Sequence, residues 1–229
     1  MLTIAQLQQV TAEGGALEAL MEAKAAGKIG HLGLTAHSLE VFEMALSMDW
    51  VETIMFPYNI VETQGEKLIA KCAEKNVGFI CMKPLAGGAI EDARLAMRFV
   101  AANEYVSVAI PGMADPAELD QNLEAFHDAS PLSAEELAKI DQIRTELGTQ
   151  FCRRCGYCKP CAKGIDIPGI FVLEGYLKRY GLAQWAMGRY QGMAAKASDC
   201  IGCGACESRC PYQLPIREKL AQLVHDFEK

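Results

Sequence analysis

The sequence predicts an α/β domain built on a parallel sheet, followed by a small, mainly helical domain. Residues 1–150 contain 10 Lys and Arg against 22 Asp and Glu, a net charge of −12, whereas residues 151–229 contain 12 against 7, a net charge of +5. Eight of the ten cysteines also lie in the basic part. Because charge and cysteine content change at the same place, we predict two domains, 1–148 and 149–229.

Short apolar runs alternate with helical patterns along the acidic part. The runs are mostly continuously apolar, which is typical of strands in a parallel sheet covered by helices. The predicted strands are 30–35, 51–56, 77–83 and 105–111, and the predicted helices lie within 14–30, 39–48, 63–76, 89–103, 115–128 and 133–148. Ser38 is placed to cap one helix, and Ser133 with Glu136 has the spacing of a capping box. Four such units are half of a (β/α)8 TIM barrel, although periodicity alone fits a small open sheet equally well.

Composition and motifs exclude several functional classes. No run approaches 18 apolar residues, and the first ten residues lack the basic segment of a signal peptide. We therefore expect a cytoplasmic chain with no membrane partner. The basic part lacks interleaved aromatic residues, so we expect no nucleic-acid partner. Neither a GxGxxG motif after a strand nor a GxxxxGK[ST] motif is present.

The cysteines of the basic part form two motifs with metal-ligand spacing. They are Cys152, Cys155, Cys158 and Cys161, followed by Cys200, Cys203, Cys206 and Cys210. In a reducing compartment such clusters indicate metal rather than disulfides. The second motif, CxxCxxCxxxCP, is the bacterial ferredoxin pattern for a [4Fe–4S] cluster. We predict that all eight residues hold two [4Fe–4S] clusters, and a zinc site with four cysteine ligands is the alternative.

The first motif departs from the ferredoxin pattern. Its last spacer has two residues, and Pro160 precedes Cys161 instead of following it. By analogy with two-cluster ferredoxins, in which the fourth cysteine binds the other cluster, we assign two crossed sets. One set is Cys152, Cys155, Cys158 and Cys210, and the other is Cys161, Cys200, Cys203 and Cys206.

Residues near the cysteines suggest further roles. We expect Gly202 and Gly204 to permit close backbone approach to a cluster. Nearby cations would either offset negative cluster charge or form ordinary solvated surface; they are Arg153, Arg154, Lys159, Lys163 and Arg209. Residues 162–199, mostly helix-forming, resemble the helical two-cluster ferredoxin module of larger oxidoreductases.

The acidic part resembles the aldo-keto reductases from their fifth strand to their eighth. Four motifs follow the family's order: GKIGHLGLTAHS, FPYN, MKPLAGG, and AIPGM with DPAELDQNL. The resemblance implies a barrel fold. The family's catalytic Asp, Tyr, Lys and His belong to strands two to four, for which this chain has no counterpart. We therefore assign no catalytic residue and leave open whether the chain is an enzyme.

The same resemblance implies contacts with NADP. Gly112 and Asn122 match family positions on the phosphate and adenine sides of that cofactor. On the nicotinamide side, Ala36, Met55 and Met82 stand where the family has an Asn, a Gln and an aromatic residue, which disfavours NADP. Independently of the family, we interpret Cys72 and Cys81 as core residues, and His37 as a helix-entry or hydrogen-bonded residue rather than a catalytic one.

The chain resembles, over nearly its whole length, bacterial and archaeal aldo-keto-reductase-like proteins that end in an iron–sulfur module. We predict an iron–sulfur oxidoreductase that relays electrons through two clusters, with a protein or a small redox molecule as donor or acceptor. The alternatives are an electron-transfer adapter without its own substrate site and a zinc-stabilised interaction domain. A half barrel leaves two edge strands unpaired, so we also predict self-association or an N-terminal half-barrel partner.

Overall fold

The computed structural model describes residues 2–128, 130–210 and 212–228. The chain divides into two compact units, Met1–Ile143 and Arg144–Lys229. The division falls inside the helix predicted over 133–148, near the sequence-based boundary.

A parallel sheet of four strands organises the first unit. The strands are β1 (Gly33–Thr35), β2 (Thr53–Pro57), β3 (Gly78–Met82) and β4 (Val108–Ile110), and they pair in chain order. Across the sheet, Thr35 is in register with Met55, Met55 with Ile80, and Ile80 with Val108. The predicted α/β fold with four strand–helix units is confirmed, although β1 and β4 are shorter than their apolar runs.

Seven helices of the described residues accompany this sheet. They are α1 (Ile4–Thr11), α2 (Ala16–Ala25), α3 (Leu39–Ala45), α4 (Glu66–Glu74), α5 (Ala93–Ala101), α6 (Pro116–His127) and α7 (Ala134–Leu147), the last of which runs into the second unit. The Ser133 hydroxyl accepts the Glu136 N–H at 3.2 Å and the Glu136 carboxylate accepts the Ser133 N–H at 2.8 Å, so the predicted capping box is confirmed. Sequence reasoning missed α1, which begins with the same kind of box between Thr3 and Gln6.

One face of the sheet is buried under helices. Ile54, Phe56 and Phe79 are fully buried, and the ring of Phe42 on α3 lies 5.0 Å from that of Phe56. Side chains alternate between the faces of a strand, so Met55, Ile80 and Val108 lie on the opposite face. That face is only half covered, and at β4 Val108 is 47 % exposed.

A buried arginine joins α5 to the start of α7. The Arg98 side chain is 3 % exposed; its Nε donates to Glu136 at 2.5 Å, and it also pairs with Asp128. These hydrogen bonds from Arg98, with the Ser133 N–H, lower the pKa of Glu136 from 4.5 to about 2. A carboxylate with a lowered folded pKa stabilises the fold above its unfolded pKa and loses that contribution as the pH falls through its folded value.

We therefore expect the first unit to lose stability between pH 4.5 and pH 2, and Glu136→Gln to flatten this dependence while lowering the melting temperature at pH 7. Thermal unfolding followed at several pH values measures both effects. Exposed Glu135, also in the first turn of α7, provides the control Glu135→Gln. If the Glu136 variant loses as much stability as wild type between pH 4.5 and pH 2, the assignment is contradicted.

The second unit is mainly helical. Its helices are α8 (Ile167–Lys178), α9 (Ala183–Gln191), α10 (Ala205–Ser208) and α11 (Ile216–Phe227), and residues 151–166 contain neither helix nor strand. Buried Ile170, Tyr190 and Leu223 form part of its core. The predicted helical character of 162–199 is confirmed. In the ranges that the structure describes, no helix is long and apolar enough to cross a membrane.

Candidate metal centre

The eight cysteines of the second unit line two cavities. The first cavity is lined by Cys152, Cys155, Cys158 and Cys210. The second is lined by Cys161, Cys200, Cys203 and Cys206. The two sets are those assigned by analogy, so the fourth cysteine of each motif faces the other motif's cavity. That these residues bind clusters stays a prediction.

Apolar side chains complete the walls of both cavities. Phe151, Phe171 and Leu214 line the first cavity, and Ile201 and Leu220 line the second. Ile167, at the first position of α8, is 1 % exposed and lines both. Four thiols in an apolar enclosure match the donor set of a [4Fe–4S] cluster, so the residues present fit that group. Of the described residues, no three His, Cys, Asp or Glu side chains are grouped so as to hold a single metal ion.

The cysteines differ in exposure. Cys158 and Cys206 are buried, whereas Cys203 is exposed. Burial raises the pKa of Cys158 to about 11 and also raises the pKa of Cys206. Without metal these two thiols are protonated at neutral pH, so metal binding there must release protons.

The cysteine loops depend on left-handed backbone conformations. Arg154 and Gly156 have φ of +56° and +83° in the first motif, and Gly202 and Gly204 have φ of +70° and +75° in the second. A Cβ added at Gly202 would meet no protein atom within 4 Å. Close approach of protein atoms therefore does not explain why this residue is a glycine. Its positive φ explains it, because L-residues rarely adopt that conformation.

Only part of the predicted cation set lines the cavities. Arg153 lines the first cavity, with its guanidinium carbon 4.1 Å from the centroid of the Tyr212 ring. Lys163 and Arg209 line the second. Arg154 and Lys159 line neither, and Lys159 pairs with Asp166 at 2.9 Å. Pro211, part of the predicted motif, lies outside the described residues.

Sequence reasoning missed Arg217, which also lines the second cavity. Its Nε donates to the Glu207 carboxylate at 2.7 Å, and its Nη1 donates to the Gly202 carbonyl at 3.4 Å. Arg217 stands at the start of α11, outside both cysteine motifs, so motif spacing carried no signal for it. Ile167 was missed for the same reason.

The positions matched to NADP contacts lie in the first unit. Gly112 follows β4, and Asn122 lies on α6, where it is 6 % exposed. The Asn122 Oδ1 accepts no hydrogen bond from the described residues. On the nicotinamide side, Ala36 is buried beyond β1, and the Thr35 hydroxyl donates to the Met55 sulfur at 3.8 Å.

Other polar residues gather at the carboxyl edge of the sheet. His37 Nε2 lies 3.0 Å from Lys83 Nζ, and the buried Asn59 donates to the Lys83 carbonyl at 2.9 Å. The interpretation of His37 as a hydrogen-bonded residue is confirmed. Cys72 and Cys81 are fully buried, which raises the pKa of each to about 12 and confirms both as core residues.

Comparison with known proteins assigns both units. Residues 12–94 and 90–145 match the model of the Aldo/keto reductase family, over more than half of the chain. The chain belongs to the aldo/keto reductase family. Within this aldo/keto reductase, residues 151–215 match the model of the 4Fe-4S dicluster domain, which identifies the second unit as an iron–sulfur domain. The predicted combination of the two domains is thereby confirmed.

Individual relatives match about half of this aldo/keto reductase. "Uncharacterized oxidoreductase C215.11c" of Schizosaccharomyces pombe is 27% identical over 135 residues, which are 52% of this chain and 44% of that protein. The chain thus spans less than half the length of that relative. The solved structures of the aldo-keto reductase AKR11C1 from Bacillus halodurans are 21% identical in the holo form and 22% in the apo form. The holo form has a TM-score of 0.48, and the match covers 57% of this chain and 55% of that chain. The apo form has a TM-score of 0.47, and the match covers 55% of each chain.

Proposed function

We propose that the chain is an iron–sulfur oxidoreductase that relays electrons through two [4Fe–4S] clusters bound by its eight cysteines. One observation carries the proposal: the cysteines surround two cavities in crossed sets of four. When bound, such clusters supply one-electron transfer. Reduced thiols fit the cytoplasm, where we place the chain.

The chain's own residues would control the surroundings of each cluster. Burial of Cys158 and Cys206, with the apolar walls, would exclude water and so tune the reduction potential. The exposed Cys203 and Ile201, which is 61 % exposed, put the second cavity beside solvent. We propose that electrons enter or leave at the second cavity, in exchange with a protein or a small redox molecule.

Anaerobic reductive titration tests the relay. The proposal predicts two electrons accepted per chain, one per cluster, with bleaching of the visible absorption. A colourless chain that contains zinc and accepts no electrons would favour the zinc-stabilised interaction domain. Two-electron uptake together with substrate turnover by the chain and its electron donor would support the oxidoreductase, and uptake without any turnover would favour the adapter.

Nucleotide binding is a second candidate function. It is favoured by the buried side-chain oxygen of Asn122, which accepts no hydrogen bond from the described residues. A buried amide oxygen without a donor costs about 1–3 kcal/mol, and an adenine amino group could supply the missing hydrogen bond. Because Ala36, Met55 and Met82 offer no amide or aromatic ring to nicotinamide, we expect 2′,5′-ADP to bind as tightly as NADPH. Calorimetric titration measures both affinities, and binding of neither compound would exclude this candidate.

The half-covered face and the edge strands of the sheet support the proposal that a partner completes it. In the described part of the first unit, β1 pairs with β2 alone and β4 with β3 alone, and Val108 and Ile110 on β4 are exposed. We expect the isolated chain to self-associate through this surface unless an N-terminal half barrel covers it.

Light scattering after size-exclusion chromatography tests this expectation. Wild-type chain should elute as a dimer or larger species, and Val108→Lys with Ile110→Lys should shift it to monomer. Leu137→Lys, at an exposed apolar residue of α7, is the matched control and should leave the mass unchanged. A wild-type monomer would count against self-association.

A further inference from the structure

The Arg209 side chain joins the two cysteine motifs. Its Nη1 donates to the carbonyl of Lys159 at 3.0 Å and its Nη2 to the carbonyl of Pro160 at 2.8 Å. Its Nε donates to the carbonyl of Ala205 at 2.8 Å. Lys159 and Pro160 are the two-residue spacer of the first motif, whereas Ala205 begins α10 in the second. One guanidinium therefore fixes the spacer against the second motif.

These contacts lie at the point in each motif where the chain passes from one cavity to the other. Before the spacer, Cys158 lines the first cavity, and after it Cys161 lines the second. In the other motif, Cys206 lines the second cavity and Cys210, directly after Arg209, lines the first. Arg209 thus contacts the spacer through which the irregular first motif passes from the first cavity to the second.

We propose that Arg209 is a positioning residue that delivers Cys161 to the second cavity. This inference rests on the proposed function, because it concerns the ligand set of the second cluster. The planar guanidinium spans the two motifs, because its Nε donates to Ala205 while Nη1 and Nη2 donate to the two spacer carbonyls. A lysine ammonium offers all its donors from one nitrogen at the end of a flexible stem, so it does not hold the same rigid three-point bridge. A purely electrostatic role, in which the cation offsets cluster charge, would be fulfilled by either side chain. Arginine and lysine at this position therefore separate the two explanations.

The test compares Arg209→Lys and Arg209→Met with wild type in the anaerobically purified full chain. Cys161→Ala supplies the reference for a second cavity with three thiols. Arg189→Met is the matched control, because Arg189 is an exposed arginine of the same unit, lies over the Trp185 ring and lines neither cavity. Iron and sulfide per chain, the rate of iron release to a chelator, and the electron paramagnetic resonance spectrum after reduction are measured.

Loss of supporting contacts around a metal typically lowers metal affinity by about 10- to 100-fold. We expect this loss to appear in dissociation, so that both Arg209 variants release one cluster's iron about 10- to 100-fold faster than wild type. The cluster that the Arg209 variants retain longer should be that of the first cavity, so its spectrum should match the cluster left in the Cys161→Ala protein. Arg189→Met should behave as wild type. Far-UV circular dichroism verifies folding, and Arg209→Lys, which keeps the charge and an aliphatic stem, gives the deciding result if the methionine variant unfolds.

Wild-type release rates in Arg209→Lys would overturn the positioning role. Loss of the first cavity's cluster, with the second retained, would also overturn it. A wild-type chain that holds no iron is a different result, because it would overturn the proposed function itself.

Discussion

Replacing Cys210 with alanine is expected to remove the cluster of the first cavity, although Cys210 belongs to the second motif. Iron per chain should fall from about eight to about four, the content of one [4Fe–4S] cluster. The reason is the crossed arrangement, in which Cys210 lines the cavity of Cys152, Cys155 and Cys158. A sequential arrangement predicts instead that Cys210 and Cys203 serve the same cluster.

Paired variants separate the two arrangements. Cys210→Ala and Cys155→Ala should leave the same residual spectrum after reduction, and Cys161→Ala and Cys203→Ala should share a different one. Combining Cys210→Ala with Cys155→Ala should remove no more iron than either alone, whereas combining it with Cys203→Ala should remove nearly all. Cys72→Ala, a buried cysteine on α4, is the control and should retain full iron. Matching spectra for Cys210→Ala and Cys203→Ala would contradict the crossed sets.

Removal of iron is expected to unfold the second unit while the first remains folded. The loop over 151–166, which carries four of the cysteines, contains neither helix nor strand, and α10 has four residues. Few backbone hydrogen bonds therefore hold the cysteine loops without metal, and metal-binding free energy becomes folding free energy. The first unit has its own core around Phe42, Phe56 and Phe79 and contains none of the eight cysteines.

Limited proteolysis with mass spectrometry measures this effect. If iron binding stabilises the unit as a ligand present at 100 times its dissociation constant would, the chelated protein is cleaved about 100-fold faster. We expect the first cuts within 151–166 and a persistent fragment from the first unit, and reconstitution with iron and sulfide should restore resistance. Equal cleavage rates before and after chelation would contradict the expectation.

The sequence was sufficient for most of the fold because its signals were local. Continuous apolar runs identified the four strands, and capping residues such as Ser133 marked helix starts. Edge strands were harder: β4 takes its bounds from pairing with β3, not from its own apolar run. The helix α1 was missed although the box formed by Thr3 and Gln6 was present, because its eight residues include a single buried side chain, Leu7, and so carry a weak apolar pattern.

The cysteines could be identified from spacing alone, since ferredoxin-type ligands follow one another closely in the sequence. Their supporting residues could not. Ile167 and Arg217 reach the cavities through the placement of α8 and α11, which depends on tertiary packing. Arg209 was noted for its charge, but its bonds to two carbonyls in the other motif depend on the three-dimensional arrangement of both loops.

The most direct test of the central claim is the iron and sulfide content of the chain purified without oxygen, measured together with zinc and the visible spectrum. Two clusters in the two cavities predict about eight iron and eight sulfide per chain in a brown protein. Zinc without iron in a colourless protein would contradict the account.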